Sequence, residues 1–187
     1  MRRLNSVFIA LGGNLGNVEE NFRKALTILS GSIKIEAVSA LYLSRPQVDI
    51  ALPTMRLPPD FLNAALAGKT HLEPLKLLEL LKAVELRLGR EKLHKQCSPR
   101  PIDLDILIYD RLTLTLPNLV IPHPHLLERD FVILPLLEIT GKSFYLYRRL
   151  KIALEKLRGC NNLYVKKRLE AMSWSDFVRS LVRVRRE

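Results

Sequence analysis

The stretch Ile102-Asp103-Leu104-Asp105-Ile106-Leu107-Ile108-Tyr109 decides how the chain folds. It is apolar except for two acids at alternate positions, and Pro101 bounds its start, so it reads as a strand. Immediately before the loop that leads into it, Leu75, Leu78, Leu81, Val84 and Leu88 recur at helical spacing until Gly89. Thr70 and Glu73 are spaced for a capping box, and Pro74 suits a first helical turn. Phe61–Lys69, ahead of that helix, has strand character. The same order occurs upstream. Ser6–Leu11 is a short apolar run closed by Gly12-Gly13, which suits a central buried strand. Asn17 with Glu20 makes an N-cap, Phe22, Ala25, Leu26 and Leu29 form a helical stripe, and Ile33–Leu43 reads as the next strand. Strand–helix–strand twice over is the split βαβ pattern of a ferredoxin-like α+β domain. The prediction is a mainly antiparallel sheet with helices packed on its faces. Pro117–Pro124 is extended, and a short helix follows from Glu128 to about Leu137.

Asp103 and Asp105 stand two residues apart in their strand, so both carboxylates leave the same face, about 7 Å apart. Paired oxygen ligands suit Mg²⁺, and a bound divalent ion removes the repulsion that would otherwise raise their pKa. Arg90, Lys92, His94, Lys95 and Arg100 fall in one loop between Gly89 and Pro101. Cations beside paired acids can hold a nucleoside triphosphate with magnesium and meet the charge that builds in phosphoryl transfer. The chain has no Gly-x-x-x-x-Gly-Lys-Ser/Thr loop, and Gly12-Gly13-Asn14-Leu15-Gly16 reads as a tight strand-to-helix turn. In Phe61-Leu62-Asn63 the ring and the amide share one strand face. Phe131 can supply a second flat wall, so that a heterocycle stacks between rings while the amide reads its edge. His123, in Ile121-Pro122-His123-Pro124-His125, reads on its own as a structural hydrogen-bonder. Ser44–Asp60, with four prolines, is a long loop of the kind that serves as a lid or binding loop.

These blocks together resemble the 6-hydroxymethyl-7,8-dihydropterin pyrophosphokinase family of folate biosynthesis. The resemblance rests on Leu11-Gly12-Gly13-Asn14-Leu15-Gly16, Phe61-Leu62-Asn63-Ala64-Ala65, Glu85 with Gly89-Arg90, and Pro99-Arg100-Pro101-Ile102-Asp103-Leu104-Asp105-Ile106-Leu107. It continues through Ile121-Pro122-His123-Pro124-His125, Glu128-Arg129-Asp130-Phe131 and Pro135-Leu136-Leu137-Glu138-Ile139. It implies two Mg²⁺ ions, ATP as co-substrate, and transfer of pyrophosphate to the hydroxymethyl group of 6-hydroxymethyl-7,8-dihydropterin with release of AMP. It also implies roles: Asp103 and Asp105 hold the metals, Phe61, Asn63 and Phe131 bind the pterin, and Arg90 and Arg100 belong to a mobile catalytic loop. Glu85, Lys92, His123 and Arg129 are the expected nucleotide-site positions. The chain departs from the family at Gln96-Cys97-Ser98, where one loop cation and one aromatic residue are missing.

The formal net charge is +11, but residues 1–141 carry 17 Lys and Arg against 15 Asp and Glu, so the excess lies in residues 142–187. There, Leu150, Ile152, Leu154 and Leu157, and then Trp174, Phe177, Leu181 and Val184, recur at helical spacing. The expected division is a catalytic domain over 1–160 and a basic helical extension over 161–187. An alternative is a non-enzymatic nucleic-acid-binding or scaffolding protein acting through that tail. The Asp-x-Asp and Phe-x-Asn elements favour the enzyme, with no nucleic-acid partner and the tail free to contact a partner enzyme of the folate pathway. At 187 residues and 48% hydrophobic, the composition excludes a disordered or fibrous chain. No apolar run is long enough to span a bilayer, and Met1-Arg2-Arg3-Leu4-Asn5, which lacks the h-region and cleavage site of a secretory signal, sets the expectation of no leader. Two cysteines make no disulfide framework, so the expected location is cytoplasmic.

Overall fold

The computed structural model of the chain describes residues 3–47, 58–91, 98–169 and 172–183. Its centre is an antiparallel sheet built from β1 (Asn5–Gly13), β2 (Ile33–Val38), β3 (Leu41–Ser44), β4 (Phe61–Thr70), β5 (Asp103–Tyr109) and β8 (Val165–Leu169), in the order β5-β1-β4-β3-β8 with β2 also on β4. β6 (Leu114–Leu116) and β7 (Leu119–Ile121) form a separate hairpin. β1 is central, as its continuous apolar run requires: it pairs with β4 on one side and β5 on the other.

Both layers follow from residue parity. Val7, Ile9 and Leu11 face one side with Leu66, Leu104 and Ile106. There they meet the stripes of α1 (Val18–Leu29) and α2 (Pro74–Arg87), among them Phe22, Leu26, Leu77 and Leu81. The alternate residues face α3 (Asp130–Ile139) and α4 (Tyr147–Gly159), whose Ile133, Leu136, Leu150 and Leu154 are buried. α4 leaves Arg148, Arg149, Lys151 and Lys156 on its exposed side, so much of the basic C-terminal quarter is a solvated helix face.

Three expectations need correction. The run Ile33–Leu43 is not one strand. It breaks at Ser39-Ala40, where the Ser39 hydroxyl accepts the Ala65 N–H (3.0 Å) and donates to the Ala40 carbonyl (2.8 Å), competing with the ladder. The capping box at Thr70–Glu73 does not form, because Thr70 belongs to β4 and its hydroxyl is used by the Ser32 carbonyl and the Leu72 N–H. Pro74 does open α2. The segment 161–187 is not purely helical: β8 precedes α5 (Met172–Arg183) and pairs with β3. Trp174 at the start of α5 is 2% exposed, packs against Phe22 and donates its indole N–H to the Ser39 carbonyl at 2.9 Å.

Candidate active site

The face of the sheet that carries α3 and α4 opens, near the N-terminus of α3, into a cavity floored by Ala10, Gly12, Phe61, Asn63, Asp103 and Asp105. Strand parity brings them together. Gly12 sits opposite Asn63 on β4 and opposite Asp103 on β5, and Ala10 sits opposite Asp105. A Cβ at Gly12 would lie 3.8 Å from Asn63 Oδ1 and 3.9 Å from Asp103 Cβ, so the glycine keeps the floor open between the amide and the acids. Gly13 is the last residue of β1. An added Cβ there would come within 2.8 Å of the Pro101 carbonyl oxygen, because the segment before β5 lies directly on it. Asn14 N and Leu15 N donate to the Arg100 carbonyl (2.9 and 3.1 Å), and Asn14 Oδ1 accepts the Arg100 N–H (2.8 Å). The glycine-rich turn therefore fixes the backbone that presents Arg100.

One end of the cavity is charged. Asp103 pairs with Arg90 and with Arg100, whose Nε lies 3.2 Å from Oδ2. Lys82 lies 3.8 Å from Asp105 and 2.9 Å from Glu85. Glu85 is 3% exposed and set behind the cavity wall. Its carboxylate accepts the Leu104 N–H at 2.7 Å and lies 2.8 Å from Arg90. It reaches the site through the cations it holds. Burial pushes Asp103 up, but Arg100, Arg90 and Lys82 outweigh burial and hold it below the usual carboxylate range. Burial and the neighbouring Asp103 push Asp105 above that range. Burial also raises Glu85 against the pull of Lys82. The two acids therefore differ by their surroundings: cations gather at Asp103, while Asp105 is buried beside it.

The other end is flat. Asn63, 6% exposed, donates through Nδ2 to Ser44 Oγ (2.9 Å) and the Tyr42 carbonyl (3.2 Å), which sets the amide's orientation. Phe61 and Phe131 both line the cavity, from β4 and from the first turn of α3. Arg100 Cζ stands 5.4 Å from the Phe61 ring centre and Arg129 Cζ stands 5.8 Å from that of Phe131. His123 follows a cis Ile121–Pro122 bond and lines the same cavity. Its Nδ1 accepts the His125 N–H at 3.1 Å, placing the neutral ring's proton on Nε2, and burial, then Arg129 and His125, lower its pKa.

The structure thus gathers Phe61, Asn63, Arg100, Asp103, Asp105, His123, Arg129 and Phe131 around one cavity, with Arg90 and Glu85 supporting it from behind. Lys92, His94, Lys95, Gln96 and Cys97 lie outside the described residues. Sequence reasoning missed Lys82 and Gly12. Lys82 sits three residues before Glu85 on α2, a spacing that shares a helix face, and Gly12 shares the parity of Ala10. Among the described residues no group of three or more His, Cys, Asp or Glu could hold a metal ion. Two carboxylates alone suit an ion that takes its remaining ligands from phosphate and water, as Mg²⁺ does. Burial and the neighbouring Asp103 both disfavour charge on Asp105, and a bound cation would offset them.

Paired acids among cations at one end and a flat, amide-edged slot at the other define a pocket suited to group transfer between a phosphate donor and a planar acceptor. A family model described as 7,8-dihydro-6-hydroxymethylpterin-pyrophosphokinase (HPPK) matches residues 8–141, and the chain belongs to that family. It is 38% identical over 139 residues to the 2-amino-4-hydroxy-6-hydroxymethyldihydropteridine pyrophosphokinase of Bacillus subtilis, covering 72% of this chain and 78% of that one. It is 41% identical over 136 residues to a folate synthesis bifunctional protein of Arabidopsis thaliana, covering 72% of this chain and 27% of the relative. The chain therefore spans about a quarter of that relative's length. In fold, a Plasmodium falciparum HPPK-DHPS crystal structure is similar with a TM-score of 0.66 at 17% identity, over 91% of this chain and 48% of that one. No described helix is long and apolar enough to cross a membrane.

Proposed function

We propose that the protein transfers the β,γ-pyrophosphate of ATP to the hydroxymethyl oxygen of 6-hydroxymethyl-7,8-dihydropterin, releasing AMP, as a step of folate biosynthesis. The observation that carries this reading is the single cavity that joins the Asp103/Asp105 pair to the Phe61–Asn63–Phe131 slot. In it, Phe61 and Phe131 stack on the pterin and Asn63, held by Ser44, reads the ring edge. The hydroxymethyl group then points toward the acids. Its oxygen bonds to the β-phosphorus, the bond from that phosphorus to the α-phosphate oxygen breaks, and the hydroxyl proton is released. Asp103 and Asp105 would hold two Mg²⁺ ions, which when bound shield the phosphate oxygens. In this reading Arg100 and Arg90, whose ion pairs with Asp103 support the assignment, meet the charge that moves onto AMP. Lys82, His123 and Arg129 border the polyphosphate, and Lys92 completes the cationic loop in this reading.

The strand order, with α1 and α2 on one face, supports assigning the core to the ferredoxin-like class. The names of the bifunctional relatives support a partner enzyme of the same pathway, and the cysteine usage supports a cytoplasmic setting. The test is product analysis. Purified protein with MgATP and the reduced pterin alcohol should form AMP and a pterin diphosphate in equal amounts. Formation of ADP, or AMP release that ignores the pterin, would overturn the assignment.

A further inference from the structure

The mechanism above leaves β8 without a role, and the family match ends before it, at residue 141. Yet β8 touches the base of both aromatic walls. Each wall follows directly on an aspartate, in Asp60-Phe61 and Asp130-Phe131. Asp130 is fully buried. Its Oδ1 accepts the Phe131 N–H (2.9 Å), and its Oδ2 accepts the N–H groups of Tyr164 and Val165 (both 2.8 Å). Three backbone donors on one buried carboxylate make a stiff joint between the first turn of α3 and the start of β8. One residue beyond Val165, the Lys166 ammonium lies 2.6 Å from Asp60.

Tyr164 adds a direct contact. Its ring meets that of Phe131 edge to face, with centres 6.0 Å apart and planes at 87°. Arg45, which also lines the cavity, holds Tyr164 from the other side. Arg45 N donates to the Tyr164 carbonyl at 3.0 Å, its guanidinium donates to the Leu163 carbonyl at 2.7 Å, and Cζ stands 5.2 Å from the Tyr164 ring centre. The strand is anchored in turn by its pairing with β3 and by Trp174 in the core.

We propose that β8, with Tyr164 just before it, is a positioning element of the planar-substrate slot: through Tyr164, Val165 and Lys166 it holds Asp130 and Asp60, and so sets the separation of Phe131 and Phe61. The inference rests on the reading of those rings as the pterin walls. Tyr164 is a positioning residue that acts through Phe131, and Lys166 acts more weakly through Asp60. A sandwich is sensitive to such a brace because stacking is lost on both faces when one wall tilts.

The test uses the full chain and titrates two ligands separately, the reduced pterin alcohol and MgATP. Tyr164→Ala should raise the pterin Kd about 3- to 10-fold, the range of one edge-to-face pair, with the MgATP Kd unchanged. Tyr164→Phe, which keeps the ring, should restore pterin binding. Lys166→Met, an exposed change that leaves the core alone, should raise the pterin Kd about 2-fold. In a Phe131→Ala background, Tyr164→Ala should add nothing further. Pterin affinity unchanged in both Tyr164→Ala and Lys166→Met would overturn the proposal. So would equal weakening of both ligands, or full additivity with Phe131→Ala. If Tyr164→Ala does not fold, Lys166→Met decides the matter alone. Failure of the unmodified protein to bind the pterin is a separate result, which removes the functional reading and the brace with it.

Discussion

The two ends of the cavity are built in opposite ways. The charged end comes from residues 82–105. Lys82, Glu85 and Arg90 belong to α2 and the turn after it, and Asp103 and Asp105 stand two residues apart, on the same face of β5. The flat end draws on β3, β4 and α3 and is tied down by β8, so its parts span more than half of the chain. A locally built site keeps its shape as long as one strand and one helix stay in place. A site assembled from distant segments inherits the stability of every joint between them. The charged end should therefore respond to mutation in turnover and nucleotide affinity, and the flat end in pterin affinity and in its dependence on the fold.

The largest expected effect is at the charged end. Asp103→Ala or Asp105→Ala should cut pterin-dependent AMP formation by about 10²- to 10³-fold or more, with far-ultraviolet circular dichroism unchanged. Full activity in either variant would break the division of labour. Next comes the foundation of the flat end: Trp174→Ala should cost about 3–5 kcal/mol of stability in urea unfolding, the usual range for a buried aromatic residue. A shift well under 1 kcal/mol would mean that the C-terminal segment is an appendage and not part of the core.

The smallest effects sharpen the comparison through pH. The folded-state pKa of Asp105 is raised by burial and Asp103, so its ionised form opposes folding, and that cost appears as pH rises through the raised value. Asp105→Asn should therefore gain stability on the wild type as pH increases, and the gain should vanish in acid. Glu138, in α3, behaves oppositely. Burial raises it, but bonds from Arg168 on β8, the Tyr42 hydroxyl and the Ala40 N–H together hold it below its ordinary 4.5. Its contribution is present above the ordinary carboxylate range and is lost as pH falls through the depressed value. Glu138→Gln should thus cost about 1 kcal/mol at pH 7 and less in acid. Parallel pH slopes in the two variants would contradict the assigned shifts.

Local pattern made the charged end legible. The acids of Asp103-Leu104-Asp105 share a face because strands have period two, whereas Gly12 and Gly13, which read as the start of a turn, are the last paired residues of β1, and the connection to α1 begins at Asn14. The flat end was legible only as parts. Phe61 and Asn63 announce a shared face, but nothing near Phe131 states that Asp130 is fully buried, since two of its three partners are the N–H groups of Tyr164 and Val165, more than thirty residues away. β8 itself hides as a basic run: Lys166, Lys167 and Arg168 are exposed on an edge strand, where charged side chains are tolerated on both sides. The break at Ser39-Ala40 was invisible because it depends on a hydrogen bond to Ala65, on a different strand.

The division between the two ends is tested most directly by titrating the reduced pterin alcohol and MgATP against Phe131→Ala and Asp103→Ala in parallel. The expected result is a crossed pattern, in which Phe131→Ala loses the pterin and keeps the nucleotide while Asp103→Ala loses the nucleotide and keeps the pterin. Loss of the same ligand in both variants would contradict a cavity made of two separable halves.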